Sequence, residues 1–266
     1  MKKILCFNSK GGVGKTTIAK ELAMLWRRAD QRVLCIDLDG QRNLSRHFLQ
    51  DEIDNVESGV EVLFDRKVDI AKVKQSIYAT CYSNIDILPA TDALAQKGAE
   101  IAQVPGGQVF LKRALQSCDF DESYDICIID VPPTLIGMFL FNALAACDFV
   151  LIPMELSQNS MDGLLDTMEI LHEVQDILNP DLQILGILIN KYSAATTVAN
   201  TTIAQQLAEA GYNDLIFKSR IRQATVVVQA ENARASVVED VSGSNVASDL
   251  VLFFAELRSR IEENGK

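Results

Sequence analysis

The stretch Ile4-Leu5-Cys6-Phe7-Asn8-Ser9-Lys10-Gly11-Gly12-Val13-Gly14-Lys15-Thr16-Thr17 decides how this chain is read. A short apolar run of strand character delivers the backbone into a glycine-rich turn that closes on Lys-Thr-Thr. Glycines allow successive backbone N–H groups to turn inward on a polyphosphate, and the positive end of the following helix favours the same anion. Lys15 has the reach for the outer phosphates, and the Thr16 hydroxyl suits Mg²⁺. A ligand-free turn between a strand and a helix would also use glycines, so the reading depends on whether acidic chemistry follows downstream.

It does, twice. The apolar run 32–36 ends in Asp37-Leu38-Asp39, whose two carboxylates at alternate positions point to one side of an extended chain. Tyr124-Asp125-Ile126-Cys127-Ile128-Ile129-Asp130 is a continuous apolar run of the kind buried on both faces of a parallel sheet, and it too ends in a carboxylate. Carboxylates at strand ends can share one metal and phosphate site.

A plain P-loop has glycine where Ser9 stands, and Lys10 precedes the glycine pair. Together with Gly11-Gly12-Val13-Gly14-Lys15-Thr16-Thr17, that departure resembles the deviant Walker A motif of the ParA/MinD family of dimerising ATPases. The resemblance implies ATP and Mg²⁺ as cofactors, residues Gly11 to Thr17 on the nucleotide, and Lys10 reaching the nucleotide of a partner subunit. Asp37-Leu38-Asp39-Gly40-Gln41-Arg42-Asn43-Leu44 is similar to the family's second signature, with Gly40 in place of the usual proline. It implies that Asp39 orients the attacking water and that Asp37 supports the Mg²⁺ shell. Asp130-Val131-Pro132-Pro133-Thr134 resembles the family's Walker B variant, which gives Asp130 a metal-bound water and makes the prolines a stiff second switch. Asp162-Gly163-Leu164 and Leu178-Asn179-Pro180 also fit the family pattern, whereas the polar Ser157-Gln158-Asn159-Ser160 replaces residues that are often aromatic in it.

Between these landmarks, strands alternate with helices. Helices are expected over 16–29, 92–103, 108–118, 138–146, 161–178, 196–210 and 245–262, and strands over 84–90, 149–153, 184–189 and 217–223. Residues 51–83 are weakly helical, with Val60, Leu63 and Phe64 as anchors. The alternation predicts an α/β fold, an open, mainly parallel twisted sheet with helices on both faces; the length and the lack of a linker-like stretch predict a single domain over 1–266, and the resemblance implies that it has no N-terminal helix-turn-helix unit.

Two late stretches extend the site. Asn190, at a strand's carboxyl end, has an amide that suits the adenine edge and would equally suit a strand-end cap. Phe217-Lys218-Ser219-Arg220-Ile221-Arg222-Gln223 resembles the family's late strand and loop, which flank the base and in DNA-binding members help form a basic surface. Lys218, Arg220 and Arg222 alternate and so share a strand face, where they either meet phosphates or form an ordinary solvated edge.

Composition sets the bounds. The chain has 266 residues, 25 basic against 36 acidic, for a net charge of −11, so DNA binding requires a local basic patch, one that dimerisation would complete. The six cysteines show no metal-ligand spacing and read as buried thiols in a reducing cytoplasm. No apolar run approaches the ~20 residues of a membrane span.

The expected function is an ATP-dependent homodimer for DNA partition or cargo positioning. It would bind DNA without sequence preference in the ATP state and be released when a ParB-like or other adaptor stimulates hydrolysis, in a cytoplasmic, nucleoid-associated setting. The alternative is a MinD-like membrane-cycling ATPase. Its anchor would be the final apolar stripe Val246, Leu250, Phe253, Phe254, Leu257 and Ile261, but the acidic end that follows favours core packing. A reductase resembling the nitrogenase iron protein is disfavoured, because Val131-Pro132-Pro133 stands where a cluster cysteine would follow Asp130.

Overall fold

The computed structural model describes residues 1–157, 160–193 and 197–264, side chains excepted at 197–201 and 204. Gln158, Asn159 and Gly265 lie outside the described residues. Eight strands, β1 (Lys2–Cys6), β2 (Val33–Asp37), β3 (Tyr78–Ala79), β4 (Ile85–Leu88), β5 (Ile126–Asp130), β6 (Phe149–Glu155), β7 (Gln183–Tyr192) and β8 (Ile216–Arg222), form one sheet in the order β3-β4-β2-β5-β1-β6-β7-β8. All neighbours are parallel except the β3–β4 pair.

Alternation along the strands builds two cores from one chain. In β1, Leu5 and then Phe7 face one layer while Ile4 and Cys6 face the other. Helices α1 (Lys15–Arg28), α2 (Asn43–Leu49) and α3 (Ile70–Gln75) are followed by α4 (Ala93–Ala102), α5 (Phe110–Ser117) and α6 (Met138–Ala146). Then come α7 (Ser160–Ile177), α8 (Thr197–Glu209), α9 (Thr225–Asn232), α10 (Val237–Asp240) and α11 (Asn245–Asn264). Residues of α4 to α7 join the Phe7 layer, and residues of α1, α2 and α9 to α11 join the Ile4 layer. Val60, Leu63 and Phe64, the anchors expected in 51–83, are buried in the first layer.

The expected mainly parallel α/β sheet is therefore present, with element ends shifted by a few residues. Four elements lie outside the sequence expectations: β3, α2, α9 and α10. β3 is two residues long, too short to carry alternation. α2 starts after Arg42 in the left-handed region (φ 60°) with no side-chain cap, so the usual Ser/Thr/Asp start signal is missing. α9 contains Val226-Val227-Val228, whose branched side chains disfavour a helix locally.

The apolar stripe of α11 is spent on the core. Val246, Leu250, Phe253, Phe254, Leu257 and Ile261 are all buried, with Phe253 edge-on to Phe217 of β8 and Phe254 edge-on to Trp26 of α1. None of the described helices is long and apolar enough to cross a membrane. α11 also covers the open side of β8. Glu256 accepts the backbone N–H groups of Lys218 and Ser219 at 2.9 Å each, and Asp249 accepts that of Arg222 at 3.2 Å.

Candidate active site

The sheet order places β2, β5 and β1 side by side, and Asp37, Asp130 and Cys6 are register partners across them. The loop after β1 consequently emerges directly beside both acidic strand ends. Its curl uses Gly12 at φ 78° and Gly14 at φ 91°, and Gly14 leads into α1. Both values lie where only glycine is unstrained.

Lys15 folds back over its own loop. Its buried Nζ donates to the carbonyls of Asn8 (3.0 Å) and Lys10 (3.1 Å). Burial lowers its pKa, while the charges of Asp130 and Asp39 oppose the shift. Thr16 Oγ1 donates to Asp130 Oδ2 at 2.7 Å, and Asp130 Oδ1 is buried with no hydrogen-bond partner. Burial, reinforced by the charge of Asp37, raises the Asp130 pKa. An orphaned buried carboxylate oxygen beside a threonine hydroxyl is the donor set that a hard divalent cation takes, and the cation's charge would reverse that penalty.

Asp37 and Asp39 divide their work. Asp37 is fully buried, and both of its oxygens are committed within the chain: Oδ1 to the N–H of Asp39 (3.0 Å), Oδ2 to the N–H (2.9 Å) and hydroxyl (2.6 Å) of Ser45. It shapes the turn. Among the described residues the Asp39 carboxylate is tied through Oδ1 alone, to the N–H of Gln41 at 2.9 Å, and it lines the cleft beside the P-loop. The left-handed residue of this turn is Arg42, and a Cβ on Gly40 would meet nothing within 4 Å. The strain thus sits two residues after the glycine that replaces the usual proline.

Lys10 lies on the outer side of the loop, where its Nζ donates to Ser157 Oγ at 2.5 Å and, more weakly, to Ser160 Oγ at 3.4 Å. Ser157 and Ser160, singled out by their polarity, therefore serve as acceptors for the extra lysine. Gly163 packs against the same loop, its carbonyl accepting from Ser9 Oγ at 2.9 Å.

Asn190 resolves toward the loop: its Nδ2 donates to the carbonyl of Val13 at 2.8 Å while the residue lines the cleft. Its neighbour Lys191, held at φ 53°, donates Nζ to the carbonyl of Gly12 at 2.7 Å. Sequence reading gave Lys191, within β7, no role, and no local pattern marked it. The cleft, about 730 Å³, runs from the P-loop past Asp39, Asn190 and Lys191 to Gln223 and Val227 of the β8–α9 region.

Lys218, Arg220 and Arg222 are exposed on β8, along a groove outside the cradle that Arg222 also links to the cleft. They are not equivalent. Arg222 is paired with Asp249 through two bonds of 2.6 and 2.8 Å, Arg220 stacks over Tyr192 at 5.1 Å, and the Lys218 ammonium has no partner among the described residues.

A glycine cradle, a Thr–Asp pair fit for a divalent cation and a carboxylate turn, at the ends of three adjacent parallel strands, define a P-loop nucleotide hydrolase site. A family model described as an AAA domain matches residues 1–184. The chain is 38% identical over 224 residues to the sporulation initiation inhibitor protein Soj of Bacillus subtilis, covering 83% of this chain and 84% of that one. It belongs to the ParA/MinD family of P-loop ATPases. It is also 31% identical over 265 residues to the chromosome-partitioning ATPase Soj of Thermus thermophilus, covering 99% and 98% of the two chains. Among solved structures it resembles cobyrinic acid a,c-diamide synthase from Mycobacterium smegmatis with bound ATP analogue and magnesium, at 27% identity and a TM-score of 0.80 over 100% and 97% of the chains.

Proposed function

We propose that this chain is a partition-type ATPase that closes into a homodimer on ATP, binds DNA without sequence preference in that state, and lets go when a ParB-like or other adaptor stimulates hydrolysis. The observation that carries the ATPase reading is the Thr16–Asp130 pair with its orphaned Oδ1, directly beneath the glycine cradle. Loop amides and Lys15 grip the phosphates, and Thr16 and Asp130 hold Mg²⁺, which neutralises phosphate charge when bound. Asp39, with one carboxylate oxygen uncommitted, orients the attacking water. Asp37 supports this arrangement from behind by fixing the turn that carries Asp39, because both of its own oxygens are spent on that turn. Lys10 leaves its serine acceptors to reach the partner subunit's nucleotide.

Lys218 and Arg220 supply the basic face for DNA, with Arg222 partly neutralised by Asp249. On this reading the protein would sit on the nucleoid in the ATP state. The test is binding of purified protein to unrelated duplex DNA with ATP, with ADP and without nucleotide, at two salt concentrations. Binding seen only with ATP, with a salt slope that falls by about one unit for each of Lys218→Glu and Arg220→Glu, supports the reading. ATP-driven dimers that ignore DNA at low salt would remove DNA from it.

A further inference from the structure

At the helix end of the cradle, one solvent-exposed contact has the wrong sign for the expected guest. Thr17, the last residue of the glycine-rich motif, donates its hydroxyl to Glu231 Oε1 at 2.5 Å, across 214 positions of sequence. Glu231 lines the same cleft as Gly12, Gly14, Lys15 and Thr16. Its carboxylate has no ion-pair partner among the described residues. An unpaired anion thus stands on a hydroxyl of a cradle shaped for a polyanion.

The exposed Glu231 side chain is carried by anchored backbone. α9, which carries it, is followed by a segment pinned to α1: Lys20 Nζ donates to the carbonyl of Ala235 at 3.2 Å. Buried Glu21 accepts from Ser236 Oγ and from the N–H groups of Val237 and Val238 at 2.8 to 3.1 Å. These bonds tie the chain just after Glu231 to the same helix that begins with the cradle, so the backbone that carries the carboxylate stays beside that helix.

We propose that Glu231 is an affinity-setting residue of the nucleotide site, an internal anion that occupies Thr17 in the empty protein and opposes any nucleotide phosphate that takes its place. This rests on the nucleotide-binding reading above. The opposition has two parts: the Thr17 hydroxyl must change acceptor, and a negative charge remains on the wall of the cleft that would take the phosphates. Removing that charge tightens binding by about tenfold at low ionic strength, and salt narrows the gap. ATP and ADP are affected alike, since the repulsion acts on the phosphates nearest the helix.

The test is the dissociation constant of Mg-ATP and Mg-ADP for the full chain, wild type against Glu231→Gln and Glu231→Ala, at low and high salt. Glutamine keeps an acceptor for Thr17 and removes only the charge; alanine removes both. Tighter binding of both nucleotides by both variants, with a gap that shrinks in high salt, is the expected result. Unchanged affinity, or weaker binding by either variant, overturns the proposal while leaving the ATPase reading intact, weaker binding making Glu231 a ligand of the nucleotide. If neither wild type nor variants bind nucleotide, the site reading falls and this one with it.

Discussion

The side-chain amide of Asn190 donates to the carbonyl of Val13 at 2.8 Å, so the end of β7 holds the phosphate loop from behind. A Cβ added to Gly14 would lie 2.4 Å from that amide nitrogen, at a φ of 91°. Gly14→Ala should therefore lose nucleotide binding by at least about a hundredfold, since strain and collision act together. Asn190→Ala removes one bond without collision and should weaken binding by about tenfold. Titration of a fluorescent nucleotide orders the two; an Asn190→Ala defect as deep as that of Gly14→Ala would show that the amide does more than brace the loop.

Lys10 is held by Ser157 and Ser160 of its own chain. Lys10→Ala should bind ATP with wild-type affinity yet fail to double its mass on ATP addition, and adaptor-stimulated turnover should vanish. Light scattering with nucleotide present measures the first, phosphate release the second. Normal stimulated turnover would rule out action across the interface.

The two carboxylates of the second signature should separate cleanly. Asp39→Ala should accumulate as an ATP-bound dimer, with turnover at least about tenfold down and chemical stability within about 1 kcal/mol of wild type. Asp37→Ala strands buried N–H and hydroxyl donors of Asp39 and Ser45 and should cost about 3 kcal/mol of folding stability. Urea unfolding beside phosphate release tests the pair, and equal stability losses would contradict the division of labour.

His47 predicts an acid-sensitive fold. It packs edge-on to Phe48 at 4.9 Å and stacked on Tyr82 at 6.1 Å, and its Nε2 is buried without a partner. Burial, then the charge of Lys20, lowers its pKa from 6.5 to about 3. The unfolded chain thus takes up a proton below pH 6.5 that the folded chain refuses. The stability tied to neutral His47 is complete above pH 6.5 and drains away toward pH 3, at about 1.4 kcal/mol per pH unit. Urea unfolding at pH 6.5 and 5 should differ by about 2 kcal/mol, and His47→Leu should flatten that difference. An unchanged slope in the variant would assign the acid sensitivity elsewhere.

What the sequence disclosed follows from how the site is made. The cradle, Asp37-Leu38-Asp39 and Asp130 are each continuous in sequence, and each sits at the end of a strand whose apolar run announces it, so their meeting at one end of the sheet could be read directly. The bonds that tune it could not. Lys191 meets Gly12 from 179 positions away and Glu231 meets Thr17 from 214, and neither residue type at those positions carries a local pattern. The helix bearing Glu231 was hidden for a related reason: Val226 and Val227 pack only partly against the Ile4 layer and Val228 is exposed, while branched side chains disfavour a helix locally. The left-handed residue of the turn, Arg42, carried no glycine to announce it, because the curve is set by backbone N–H groups that donate to the carboxylates of Asp37 and Asp39.

The capped flank of β8 has a bearing on how copies of this protein meet. With the N–H groups of Lys218, Ser219 and Arg222 already taken by α11, and with only a two-residue strand closing the opposite flank of the sheet, neither side offers a template on which another strand can grow. Self-association by sheet extension, the usual route from crowding to fibres, is shut at both ends. Copies of the chain at high local concentration therefore lack the strand edge on which such growth would start.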